Sequence, residues 1–162
     1  MITLPIAPGG GPEASLAEMT ADDATALAPL FAVIDPWQSY GMTADSLSAY
    51  FSEADANASR FVVTCNNQRA GVIVIRWHWL GGPYVQFLGM VPRYQKAGLG
   101  GRVLHWFETE ARTRAARNIW IAASDFNAPA LAFYQGCGFE RVAVLDDLLR
   151  DGIAEILLRK RL

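Results

Sequence analysis

Cysteine is scarce: only Cys65 and Cys137 occur, neither in a C-x-x-C pair nor at metal-ligand spacing from a histidine. This excludes a zinc-ribbon or dithiol-redox reading and leaves free thiols of a reducing compartment as the expectation. Long apolar runs are missing too. The most hydrophobic stretch, "GVIVIRWHWLGG", is interrupted by Arg76 and His78 and falls short of the ~20 residues a spanning helix needs. The opening "MITLPIAPGGGPEAS" has no basic residue and no unbroken apolar segment, so it is expected to be neither a secretory nor a transit leader. There is no excess of positive charge: 14 Lys+Arg face 16 Asp+Glu, a formal net charge of −2. Hence no overall field draws the protein to nucleic acid or an anionic membrane, and any anion site must be local. The expectation is a soluble, cytoplasmic protein with neither nucleic acid nor membrane as partner.

What is present is one domain's worth of chain, 162 residues of which 52% are apolar, enough to bury a substantial core. Residues 1–14, rich in Pro and Gly, read as a flexible lead-in to a single domain over 15–162. "SLAEM" reads as a short strand. "TADDATALAPLFAVI" and "TADSLSAYFSEA" read as helices, the first with Thr20 as N-cap and Asp23 in capping-box relation. "RFVVTC", the turn "NNQRAG" and "VIVIRWHWL" form a hairpin, and "YVQFLGMV" is a further strand closed by Pro92. A helix beginning "LGGRVLHWF", the strand "NIWIAAS", a short helix "NAPALAFYQGC" and two strands, "FERVAVL" and "IAEILLRKRL", around the turn "RDG" complete the chain. The order β-α-α-β-β-β-α-β-α-β-β argues a mixed α/β sheet with helices on both faces.

The segment "RYQKAGLGGR" places three glycines between a strand and a helix. A helix N-terminus leaves several N–H donors unpaired, and glycines let an anion approach them closely. Two phosphate motifs fail here. No Gly-Lys-Ser/Thr occurs, and the dinucleotide pattern opened by Gly98 and Gly100 meets Val103 where its third glycine belongs. What remains is Q-x-x-G-x-G, carried by Gln95, Gly98 and Gly100 after "GMVPRY".

That motif, together with "NAPALAFYQGCGFE" and its Asn127, Ala130, Phe133, Tyr134, Gly138 and Phe139, resembles the GNAT superfamily of N-acetyltransferases. The resemblance runs from Ser15 to the end. It implies a twisted, mostly antiparallel mixed sheet of about six to seven strands, with acetyl-CoA as co-substrate. In the family's terms, the backbone of Lys96, Ala97, Gly98, Leu99, Gly100 and Gly101 cradles the pyrophosphate. Gly89, Met90 and Val91 pair with the pantetheine arm, with Gly89 suited to the strand bulge of this fold, and Asn127 helps place that arm. The activity implied is direct acetyl transfer to an amine, a small molecule or a peptide N-terminus; a homodimer is compatible. The alternative is a non-catalytic acyl-CoA-binding or regulatory module.

Acyl transfer needs an unprotonated amine, a stabilised oxyanion and a proton for the departing thiolate. Tyr134 matches the family's tyrosine near the CoA sulfur and is the candidate donor; a core aromatic is the other reading. The base is less defined. Members acetylating ribosomal-protein N-termini often carry Glu five positions before the motif Asn, here Ala122, and histone-type members carry one near the start of the motif strand, here Tyr84. The substitutes are His78, Tyr84, Gln86 and Asp125, where His78 can be structural and Asp125 can instead cap the following helix. A lysine-like amine costs about 4.6 kcal/mol to deprotonate at pH 7 and an α-amine only about 1, so a site without a strong base leans toward the latter. For the acceptor, the loop "IDPWQSYGM" supplies Asp35, Trp37 and Tyr40, which with Trp77 or Trp79 can wall an aromatic pocket or simply close the core.

Overall fold

The computed structural model describes residues 1–5 and 11–162. Its elements are β1 (Ile2–Thr3), β2 (Ala14–Glu18), α1 (Ala21–Ala32), α2 (Ala44–Ser52), β3 (Ala58–Cys65), β4 (Gln68–Trp79), β5 (Gly82–Met90), α3 (Leu99–Thr113), β6 (Asn118–Ser124), α4 (Ala128–Gly136), β7 (Glu140–Arg150) and β8 (Ile153–Arg161). One 8-stranded sheet runs in the order β1-β2-β3-β4-β5-β6-β8-β7. Every neighbouring pair is antiparallel except β5 with β6. The mixed, mostly antiparallel sheet is as the sequence predicts, with one strand more than the upper expectation.

The local chemistry explains the boundaries. Thr20 and Asp23 form a full capping box at α1, and Thr43 with Ser46 does the same at α2. The β3–β4 hairpin turns on Asn66 and Asn67 alone, at φ 49 and 60, the doubly left-handed geometry that asparagine tolerates. The turn is therefore shorter than "NNQRAG" suggests, and β4 starts at Gln68. Along β4 the side chains alternate between two cores: Ile73 and Ile75 pack beneath α3 and α4, Val72 and Val74 beneath α1 and α2. A strand covered on both faces is apolar at every position, which is why "VIVI" carries no polar alternation.

The lead-in expected to be flexible over 1–14 is partly tied down. Ile2 and Thr3 pair with Leu16 and Ser15, and Leu4 is buried; residues 6–10 lie outside the described residues. Arg102, in the first turns of α3, is 6% exposed and donates to the carbonyls of Pro5 at 2.7 Å, Pro12 at 2.8 Å and Leu4 at 3.3 Å. Its guanidinium is committed to holding this segment. Replacing it in Arg102→Met leaves three carbonyls without their charged donor. The expected loss is about 2–3 kcal/mol in urea unfolding, with faster amide exchange at Leu4.

Candidate active site

Among the described residues, the one parallel junction in the sheet is also its opening. β5 and β6 pair through Tyr84 with Trp120 and Val85 with Ile121, and no further. Just beyond, β5 carries a bulge against β4: Val74 pairs with Phe87 and Ile75 with Val85, which leaves Gln86 as the extra residue. A bulge bends and twists its strand, so the C-terminal halves of β5 and β6 part into a cleft. Gly89 was expected to make this bulge and does not, since it pairs regularly with Val72. Its lack of a side chain has another cause. A Cβ there would stand 2.6 Å from both Phe31 Cε1 and Trp37 Cη2, so glycine lets the α1 face close onto the strand.

Facing the cleft, β5 offers main chain. The Val91 N–H donates to Ala70 at 2.9 Å, and by alternation Gly89 also turns its polar groups toward β4. Of the three residues expected to pair with a ligand, Met90 alone presents its main chain to the cleft. Leu88, which the sequence reading passed over, joins it. Gln95 Nε2 donates to the Met90 carbonyl at 3.1 Å and fixes the following loop to the strand. Past a 3-10 turn at Pro92–Tyr94, Lys96 and Gly98 adopt φ +60 and +77, and α3 begins without a side-chain cap. Among the described residues, no main-chain N–H from Lys96 through Gly101 has a hydrogen-bond partner, and the first bond of the helix runs from Arg102 to Gly98. A cavity of about 180 Å³ adjoins this cluster between α3, the residues just after α4 and β8, lined in part by Gly101, His105, Cys137 and Lys160. Another of about 390 Å³ lies beside α2 and β3 and shares no residue with the cleft.

Tyr134 sits in α4, 6% exposed, its ring 5.2 Å from Phe133 and 6.1 Å from Phe139. Its hydroxyl has no partner among the described residues, and among them no buried side-chain polar atom is unpartnered; the oxygen itself therefore reaches open space. Burial, reinforced by Cys137 and Tyr84, raises its pKa and keeps the phenol protonated. Asn127 caps α4 through its Oδ1, which accepts from Ala130 N–H at 3.3 Å. Asp125 does not cap: it is exposed at the end of β6.

The other face of the cleft is roofed by residues 33–43. Trp37 stacks on Phe87 of β5, with ring centroids 4.3 Å apart. Tyr40 reaches the ends of β6 and β8, where its hydroxyl lies 2.7 Å from Ser124 Oγ of β6 and donates to Glu155 Oε1 of β8. The loop thus bridges the two strands that the sheet leaves apart. Tyr84 stands on this side against Trp79, with centroids 4.8 Å apart, and its pKa is pushed up to about 12 by burial and then by the Glu155 charge. Asp35 is exposed and accepts from Ser39 Oγ at 2.6 Å.

Two expectations fail on geometry. Trp77 does not join Trp37: it packs on the α3 face, 6.2 Å from Phe107, under the Arg114 guanidinium and bonded to Ser59. His78 is exposed near the end of β4, away from the groups gathered at the cleft. Sequence reading also missed Ser124 and Glu155. The available signal was a single carboxylate inside the apolar run "IAEILL".

Residues 18–139 match the family model described as the acetyltransferase (GNAT) family. The chain belongs to the GNAT family. Among solved structures, a GNAT-family protein from Desulfovibrio desulfuricans superposes with TM-score 0.76 at 20% identity, covering 91% of this chain and 98% of that one. The ribosomal-protein-S18-alanine N-acetyltransferase of Escherichia coli gives 0.73 at 16% identity, covering 91% and 93%. A GNAT acetyltransferase from Elizabethkingia anophelis, solved with acetyl-CoA bound, gives 0.69 at 17% identity, covering 92% and 98%. A search of curated proteins finds no match. No helix among the described residues of this GNAT domain is long and apolar enough to cross a membrane.

Proposed function

We propose that the protein is an N-acetyltransferase that moves the acetyl group of acetyl-CoA directly onto an amine. The observation that carries this reading is the run of unpartnered N–H groups from Lys96 to Gly101 at the mouth of the β5/β6 cleft. A diphosphate needs several such donors, with no Cβ atoms holding it away. The edge at Leu88 and at the Met90 N–H, whose carbonyl already accepts from Gln95, suits an extended chain bearing amides, which adds to the sheet as a short strand would. An edge N–H also stands ready to polarise a thioester carbonyl. Acetyl-CoA supplies the activated acyl group. Tyr134, held protonated by burial, donates to the departing thiolate.

Calorimetry with acetyl-CoA, followed by a thiol-release assay on amines and peptide N-termini, tests the proposal. Binding and amine-dependent release are expected. A second reading, an acyl-CoA-binding module without turnover, is favoured by Ala122 and Tyr84 standing where relatives carry carboxylates. Binding without release on any amine would establish that module instead.

A further inference from the structure

Glu155 stands out among the buried polar groups because, among the described residues, no ion pair balances it. It is 5% exposed, and among the described residues no Lys, Arg or His side chain lies within ion-pair distance. A desolvated carboxylate without a counter-ion is costly, and one that persists does so on hydrogen bonds or on a cation that arrives later. Its hydrogen bond comes from Tyr40. With the Tyr40 proton committed to Glu155, the contact with Ser124 is a donation from Ser124 Oγ to Tyr40 Oη at 2.7 Å. Burial first, and then this bond to Glu155, push the Tyr40 pKa up to about 12, so the shared proton rests on Tyr40.

Position gives the network its meaning. Ser124 ends β6 and Glu155 lies opposite it on β8, at the open end of the cleft and on the face covered by the Trp37–Tyr40 loop. Tyr84 feels the Glu155 charge, and Asp125 adds negative potential at Tyr40. Phe126 lies 6.1 Å from the Tyr40 ring. Arg150 donates to the Ser39 carbonyl on this loop and pairs with neither carboxylate; carboxylates left unpaired beside aromatic rings suit an ammonium ion. Ala122, where some relatives place a glutamate, is two residues from Ser124 on the same side of β6, so Glu155 supplies a carboxylate to the same region from the neighbouring strand.

Resting on the acetyl-transfer reading above, we propose that Glu155 is the proton acceptor of the reaction, acting through the Tyr40 hydroxyl on an acceptor that arrives as a primary ammonium. The ammonium passes one proton to Tyr40 Oη while the Tyr40 proton moves to Glu155. The freed amine attacks the thioester carbon; the C–N bond forms and the C–S bond breaks. Tyr134 protonates the thiolate and is restored by the second proton leaving nitrogen. Glu155 then releases its proton to solvent, so each turnover liberates one.

The test compares wild type, Glu155→Gln and Tyr40→Phe with two classes of acceptor: phenethylamine and an alanyl dipeptide, both cationic to a large extent at pH 7, and acetohydrazide, which is neutral there. Glu155→Gln should lower kcat for the cationic acceptors about 100-fold and leave the hydrazide within about threefold, as expected for loss of a proton acceptor. Calorimetric affinity for acetyl-CoA should be unchanged. Tyr40→Phe should follow the same pattern. Equal losses on both classes, or no loss, overturn the proposal, since a merely structural carboxylate would not tell charged from neutral nucleophiles. A readout without turnover is the melting temperature: propylammonium should raise it in wild type and not in Glu155→Gln, and equal shifts overturn the proposal. Failure of acetyl-CoA to bind wild type sinks the transferase reading instead, and the propylammonium comparison still decides the cation site.

Discussion

Tyr134→Phe lowers kcat for acetyl transfer about 100-fold while the KM for acetyl-CoA stays within about twofold, the pattern of an interaction made only in the transition state. The substitution isolates one atom. The ring keeps its place against Phe133 and Phe139, and the hydroxyl has no partner among the described residues, so its removal orphans no protein group. Stability should therefore stay within about 0.5 kcal/mol of wild type. What is lost, on the proposed function, is a proton source for the thiolate, at a site where burial raises the pKa of the phenol and keeps it protonated. Steady-state kinetics beside a thermal melt check both halves. An unchanged kcat would return Tyr134 to the role of a core aromatic.

Gly101→Asp should move stability and binding in opposite directions. A Cβ at Gly101 meets nothing within 4 Å, so the side chain enters without collision. A carboxylate in the first turn of a helix is stabilising by about 0.3–1 kcal/mol through the macrodipole, and replacing a helical glycine adds to this. The melting temperature should rise by about 1–3 °C. The same charge faces the position proposed for the diphosphate. At a separation of about 5 Å and an effective dielectric of about 20, two like charges repel by about 3 kcal/mol, which corresponds to roughly a 100-fold weaker acetyl-CoA affinity. Calorimetry and a melt on one preparation read both effects. Tight binding by this variant would show that the Lys96–Gly101 donors do not hold the anion.

The elements that local chemistry fixes were legible before any fold was known. Thr20 with Asp23 and Thr43 at the start of the second helix marked starts that the structure reproduces with full capping boxes, because an N-cap acts within one turn of chain. The glycine run between strand and helix was equally legible. β1 was not, since a strand of two residues, Ile2–Thr3, has no periodicity to read and exists only through its pairing with β2. The end of β7 was also missed: it continues to Arg150 through exposed positions, where no burial shapes the sequence. Strand alternation places Trp77 and His78 on opposite faces of β4, but parity cannot say which face carries which helix. That is why Trp77 was matched with Trp37 across what is a solid sheet.

By itself, the sequence determined the order of the helices and of every strand but β1, the glycine-bearing turn that opens α3 and the tyrosine motif that follows it, because each is written in a short stretch of neighbouring residues. Tertiary structure alone decided where β5 leaves β6, that Gly89 is bare to admit Phe31 and Trp37, and that Tyr40 meets a glutamate 115 positions away. Those outcomes depend on the register of distant strands, and register is set by the packing of both faces of the sheet at once.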